Sequence, residues 1–185
     1  MRDLSLHLLD LAQNSITAGA SLVTIRIAVD EAGILTMELI DDGKGMSPEL
    51  LERVTSPFAT TRTIRKVGLG IPLMKENAEK AGGTFRLESE LGKGTTLTAT
   101  LDTRNIDCLP LGDLTGTLLS LMLTNPLSPD FLFEGKTPKG DCSFDTREVR
   151  QVLGNDIPFN EPSVAAWLKE ALEEEIQPIF GGVLI

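Results

Sequence analysis

Apolar residues recur at helical spacing at the start of the chain. Leu4, Leu8, Leu11 and Ala12 share one stripe and Asp3 stands at the capping position, which predicts a helix over Leu4–Thr17. From Ser21 to Asp30 the period drops to two. Val23, Ile25, Ile27 and Val29 fall on one face and Thr24 and Arg26 on the other; Gly33 then turns the chain into Leu35, Met37 and Leu39, alternating with Thr36 and Glu38. These two runs read as a half-buried hairpin. Asp41-Asp42-Gly43-Lys44-Gly45-Met46 is a loop, because its paired acids and glycines do not continue a central strand. The run Pro48–Val67 is irregular and mostly polar, and a helix is expected from about Gly70 to the terminator Gly82-Gly83. Two further alternating strands follow, through Phe85 and Leu87 and through Leu97, Ala99 and Leu101, joined at Gly92-Lys93-Gly94. Residues 1–104 thus read as a two-layer α/β sandwich with helices on one face of a largely antiparallel sheet.

The remainder predicts a helix over Leu111–Leu123, then a hairpin carrying Phe131, Phe133, Cys142 and Phe144 across Pro138-Lys139-Gly140. A short helix over Val149–Leu153 and a last helix over Ser163–Ile176 follow, the latter with Val164, Leu168, Ala171 and Leu172 on one stripe. Trp167, Phe131 and Phe133 are read as core or interface aromatics, with core the favoured reading.

Charge sharpens this division. Residues 1–104 carry a net charge of -2 and residues 105–185 a net of -8, which suggests two parts, the second a small acidic α+β domain suited to binding a partner. The total of -10 opposes sequence-independent binding to nucleic acid and to anionic lipid. No apolar run is long enough to span a bilayer, and Asp3 and Asp10 lie where a signal peptide would be basic and then apolar, so a cytoplasmic protein is expected. Cys108 and Cys142 sit in no CxxC pair or His/Cys cluster, and are read as structural thiols rather than zinc ligands.

Against this acidic background the stretch from Arg53 to Lys75 contains no Asp or Glu, while Arg53, Arg62, Arg65, Lys66 and Lys75 are positive. An anion pocket follows. Gly68-Leu69-Gly70 stands where a helix begins, and free backbone N–H groups at a helix amino terminus accept phosphate. Neither GxxxxGK[ST] nor the dinucleotide fingerprint is present: Asp130 stands where the first glycine before Gly135-Lys136-Thr137 would be, and Leu73 where a third glycine after Gly68 would be. Asp10 and Asn14, four apart, project from one face of the first helix, a carboxylate and a carboxamide suited to a water and a divalent ion shared with phosphates.

Five segments occur in order: Asp10–Ser21 with its Asn14, Asp41–Met46, Ser56–Arg62, Val67–Ile71 and Gly92–Thr96. Together they resemble the successive boxes of the Bergerat-fold (GHKL) ATPase superfamily, over residues 1–104. The resemblance implies an α+β protein whose nucleotide fold has helices on one face of a mixed sheet, with ATP and Mg2+ as cofactors. It implies that Asp41 accepts a hydrogen bond from the adenine amine, that Gly43 and Gly45 let the loop pass close to the base, and that Met46 and Ile71 pack on the purine. Thr95 or Thr96 would bond to Asp41 or to its water. Asn14 would hold magnesium, Gly68, Leu69 and Gly70 the phosphates, and Ser47–Val67 would form a lid bringing Thr60, Thr61, Arg62, Arg65 or Lys66 to phosphate oxygens.

Two departures shape the expected activity. Asp10 stands where many members carry a glutamate as base, one methylene longer, and a displacement near 1 Å can cost about a hundredfold in rate. His7 lies within the nucleotide helix, outside any phosphoacceptor context, and no dimerising helical hairpin precedes it. The chain is therefore similar to histidine-kinase catalytic domains and to stand-alone anti-sigma-factor serine kinases. An ATP-Mg binding regulatory protein is expected, a kinase acting in trans on a protein partner such as a regulatory factor or a redox-enzyme subunit. The alternatives are a non-catalytic ATP-dependent switch and a MutL-like ATP-hydrolysing machine.

Overall fold

The computed structural model describes residues 2–55 and 69–182. Helix α1 (Leu4–Thr17) is followed by β1 (Leu22–Val29), β2 (Ile34–Asp41), α2 (Pro48–Thr55), α3 (Gly70–Lys80), β3 (Phe85–Glu90) and β4 (Gly94–Asp102). Then come α4 (Leu114–Thr124), β5 (Asp130–Thr137), β6 (Gly140–Asp145), α5 (Thr146–Leu153) and α6 (Pro162–Phe180). The six strands form one mixed sheet in the order β3-β4-β2-β1-β5-β6, antiparallel except where β5 runs parallel to β1.

Strand alternation separates the two faces of this sheet. Val23, Ile25 and Ile27 of β1, Leu35, Met37 and Leu39 of β2, and Leu97, Ala99 and Leu101 of β4 are buried beneath the helices. Thr36, Glu38, Thr98 and Thr100 stand on the other face, where Arg26 of β1 bonds both Glu38 and Glu134 and so ties three strands together.

The charge step near residue 104 does not interrupt this packing. Strand β5 extends the sheet beside β1, with Val23 opposite Phe131 and Ile25 opposite Phe133, and one apolar core runs from Leu4 to Phe180. At the start of α1 the amides of Leu4 and Ser5 donate to the carbonyls of Pro110 and Leu111, both at 2.9 Å, so the second part satisfies orphan donors of the first helix. Asp3 caps the same end by accepting from the Leu6 amide.

Several boundaries differ from expectation. The polar run after Met46 contains α2: the Ser47 hydroxyl accepts from the Leu50 amide, and Pro48 supplies a preset φ at the first turn. Its apolar stripe, Leu50, Leu51 and Val54, is barely two turns long, and only Val54 is buried. Helix α4 begins at Leu114, not Leu111, because Gly112 turns with φ +78° and Asp113 caps the Gly116 amide at 2.8 Å. The last helix runs on to Phe180, and Trp167 is a surface residue, 49% exposed, rather than a core one. Among the described residues no helix is long and apolar enough to cross a membrane.

Candidate functional site

A cavity opens between α1, the ends of β2 and β4, the 41–46 loop, α2 and the start of α3. Its walls are Leu11, Leu39, Met46, Leu50, Ile71, Leu87 and Leu97, and its polar lining includes Asn14, Ser15, Asp41 and Thr95. An apolar slot with a few fixed polar groups suits a flat heteroaromatic ligand.

Asp41 ends β2 and is 8% exposed. One carboxylate oxygen accepts from the Ser15 hydroxyl at 2.6 Å and the other from the Gly43 amide at 2.9 Å. Each oxygen carries two lone pairs, so acceptor capacity remains on a carboxylate whose position is set from two sides. Next to it Asp42 faces away from the slot and anchors the strand start. Burial opposes its ionisation, yet the Ser21 hydroxyl and the amides of Ser21 and Leu22 hold its carboxyl below the usual range.

The glycines of the loop have a role the sequence reading did not assign. Gly45 has φ +66°, and a Cβ there would stand 2.0 Å from the Glu90 carbonyl oxygen; at Gly94, with φ +104°, it would stand 1.9 Å from that of Asp41. These residues clasp the 41–46 loop to the β3–β4 turn. Ser89 completes the clasp by accepting from the Met46 amide at 2.8 Å and donating to the Gly94 carbonyl at 2.9 Å. Gly43 packs on Ala18, whose carbonyl accepts from the Lys44 amide at 3.0 Å.

Asp10 and Asn14 lie a turn apart on α1, facing α3. The Asn14 Nδ2 is buried with no hydrogen-bond partner among the described residues. A Cβ on Gly70 would meet an Asp10 carboxylate oxygen at 2.1 Å, so glycine there lets the amino terminus of α3 approach the carboxylate. Leu69 leaves that terminus without a side-chain cap. One turn before Asp10, His7 is buried and its Nε2 lies 2.8 Å from Asn77 of α3. Burial, then the nearby amino-terminal charge, push its imidazole pKa down.

The structure thus brings Asn14, Asp41, Gly45, Met46, Ile71 and Thr95 to one cavity, with Asp10, Gly43, Leu69 and Gly70 beside it. Thr96 pairs with Ile40 and Glu88 and alternates to the face away from the cavity, while the Thr95 hydroxyl lies 2.9 Å from that of Ser89. Thr60, Thr61, Arg62, Arg65, Lys66 and Gly68 lie outside the described residues. Lys75, counted above among the phosphate-seeking cations, donates to the Thr55 carbonyl at 3.1 Å and holds α2 against α3. Sequence reasoning missed Ser15 and Lys44. Ser15 follows Asn14 directly, and its signal is a small hydroxyl residue on the buried side of an otherwise apolar helix stripe.

The residues present fit a nucleotide whose phosphates carry a magnesium ion. The buried, unpartnered Asn14 amide and the uncapped start of α3 are polar groups that such a ligand would satisfy, and among the described residues no group of three or more His, Cys, Asp or Glu could hold a metal ion by itself.

A buried carboxylate at the end of an apolar slot has the make-up of a small-molecule site. The family model described as histidine kinase-, DNA gyrase B- and HSP90-like ATPase matches residues 2–105, and the chain belongs to that ATPase family. Residues 2–105 carry its ATP-binding fold. Among curated proteins it is 33% identical to sporulation kinase D of Bacillus subtilis over 97 residues, 51% of this chain and 19% of that one. It is 33% identical to the sensor histidine kinase ZraS of Escherichia coli over 92 residues, 49% of this chain and 20% of that one. The matched part spans about a fifth of the length of these relatives. A crystal structure of the N-terminal domain of a DNA repair protein aligns with TM-score 0.48 and 20% identity, over 78% of this chain and 52% of that one. Full-length ShkA in complex with AMPPNP aligns with TM-score 0.42 and 24% identity, over 52% and 20%.

Proposed function

We propose that this protein binds ATP with Mg2+ and regulates a protein partner by phosphorylating it in trans. The observation that carries the nucleotide part is the Asp41 carboxylate, fixed by Ser15 and Gly43 at the end of an apolar slot with lone pairs to spare. There it would accept from the adenine amine, which a guanine does not offer at that position, and Leu39, Met46, Ile71 and Leu97 would enclose the ring. Asn14 would hold magnesium through its side-chain oxygen, and the uncapped start of α3 would receive phosphate oxygens. Bound magnesium supplies charge neutralisation on the phosphates. Asp10 is the base in this reading: it takes the proton of the acceptor hydroxyl as the new oxygen–phosphorus bond forms and the bond from the γ-phosphorus to ADP breaks.

The second reading is a switch that binds ATP without transferring phosphate. It is favoured by the shorter side chain at position 10, whose oxygen already lies against Gly70. Incubation with γ-labelled ATP and candidate partners separates the two. Label transfer that disappears in Asp10→Ala supports the kinase, tight ATP binding without transfer or phosphate release supports the switch, and steady phosphate release with no acceptor supports an ATP-hydrolysing machine.

A further inference from the structure

At the sheet edge remote from β3, strand β6, helix α5 and the middle of α6 enclose a groove whose floor is Phe144, Val149, Leu153 and Ala171. Val152 and Trp167 flank it, 86% and 49% exposed. Glu148, Glu174 and Glu175, all exposed, form its rim. No basic residue lines it; the neighbouring Arg147 is turned to Asp145, which it bonds at 2.7 Å, and Lys169 reaches toward Glu173. Among the described residues Glu148, Glu174 and Glu175 make no ion pair.

We propose that this groove docks an amphipathic, basic segment of a partner protein, its large apolar side chains between Val152 and Trp167 and its Lys or Arg residues over Glu148, Glu174 and Glu175. Charge complementarity selects this occupant. A rim whose three glutamates make no ion pair among the described residues repels acidic chains, nucleic acid and anionic lipid, and gains most from a cationic ligand. The negative field is felt nearby: burial first and then the Glu175 charge push the Cys142 thiol up to about 11. An exposed Trp beside an apolar floor supplies the anchor that interface cores favour. Among the described residues strand β6 pairs only with β5, so it forms the edge of the sheet beside the groove. This deepens the partner-binding half of the reading above and lies outside the nucleotide cavity.

Trp167 is the single tryptophan of the chain, so its emission reports on the groove directly. The test selects a displayed library of random peptides against the full chain without nucleotide. Synthetic copies of the enriched peptides are then titrated while Trp167 fluorescence is followed. The expected peptides place Lys or Arg beside Leu, Phe or Trp and shift the emission saturably. Their affinity should fall at least tenfold in the triple variant Glu148→Lys, Glu174→Lys, Glu175→Lys and in Val152→Asp, exposed positions whose replacement leaves far-ultraviolet circular dichroism and ATP binding unchanged. Peptides without basic residues, unmoved emission, equal binding to the variants or no retained peptide would each overturn the proposal. So would a dimer in sedimentation that Val152→Asp abolishes, which would assign the groove to a second copy of this chain. Because no nucleotide is present, failure here leaves the ATP reading standing, and loss of ATP binding leaves this one standing.

Discussion

The two ends of the one sheet solve the same packing problem differently. Under β5 and β6 the space between sheet and helices is filled by aromatic rings: Phe131, Phe133, Phe144, Phe159 and Phe180 are buried, Phe133 and Phe180 with ring centroids 6.2 Å apart. Under the ends of β2 and β4 the inward residues are Leu39, Leu97 and Asp41, with Leu87 and Ile71 alongside, and among the described residues no ring lines the volume between them. An empty apolar volume forfeits dispersion contacts on every lining atom, so it persists only where backbone clasps hold its walls apart or a ligand restores the contacts. Here the walls are held by Ser15 on Asp41 and by Gly45 and Gly94 across the β3–β4 turn.

The largest effect should come from undoing the filled end. Phe133→Ala removes a ring that is 1% exposed and should lower unfolding free energy by about 3–5 kcal/mol in denaturant titrations, while the folded fraction keeps its nucleotide affinity. If affinity fell in proportion, the two ends would be one cooperative device and the contrast would fail. At the open end, Asp41→Asn should weaken ATP binding by about ten- to a hundredfold in calorimetry, as expected for loss of a charged acceptor worth about 1.5–3 kcal/mol, and should relax discrimination against GTP. Unchanged ATP affinity would place the purine elsewhere.

The pH dependence tests how firmly α1 is set against α3. His7 is the chain's single histidine, and its folded pKa lies below the ordinary 6.5. The unfolded chain therefore binds more protons just below 6.5, so stability should fall as pH drops through that value and be flat above it. The depressed carboxyls, such as Asp42, lose their contribution only at lower pH. Melting temperatures between about pH 5.5 and 7.5 should show this slope in the natural chain and a flatter one in His7→Gln. Smallest of all, Arg26→Ala on the open sheet face breaks two ion pairs of a half-exposed side chain, and should cost no more than about 1 kcal/mol with no effect on nucleotide binding.

Much of the molecule was legible from local pattern. The stripe of Leu4, Leu8 and Leu11 and the alternation of β1 to β4 carry their own periodicity, and Asp41 and Asn14 stand in motifs whose chemistry is written in residue types. The clasp was half legible. Glycines at 43, 45 and 94 announced unusual backbone, but only the fold shows that Gly45 lies against the Glu90 carbonyl and Gly94 against that of Asp41. Helix α2 was lost because its apolar spacing, Leu50, Leu51 and Val54, covers barely two turns between polar residues, and its cap and proline, Ser47 and Pro48, carry the rest of the signal.

What the amino-acid order determined by itself was everything that depends on neighbours a few residues apart: helix stripes, strand alternation, caps, and the residue types of the nucleotide motifs. Tertiary structure alone decided that β5 joins β1 in parallel, that Ser15 holds Asp41, that Lys75 reaches the Thr55 carbonyl of α2, and that Trp167 faces outward. Parallel pairing and a hydroxyl's choice of partner join residues 26 to 108 positions apart, and such contacts leave no periodic trace because their energy depends on where the whole chain has already been placed.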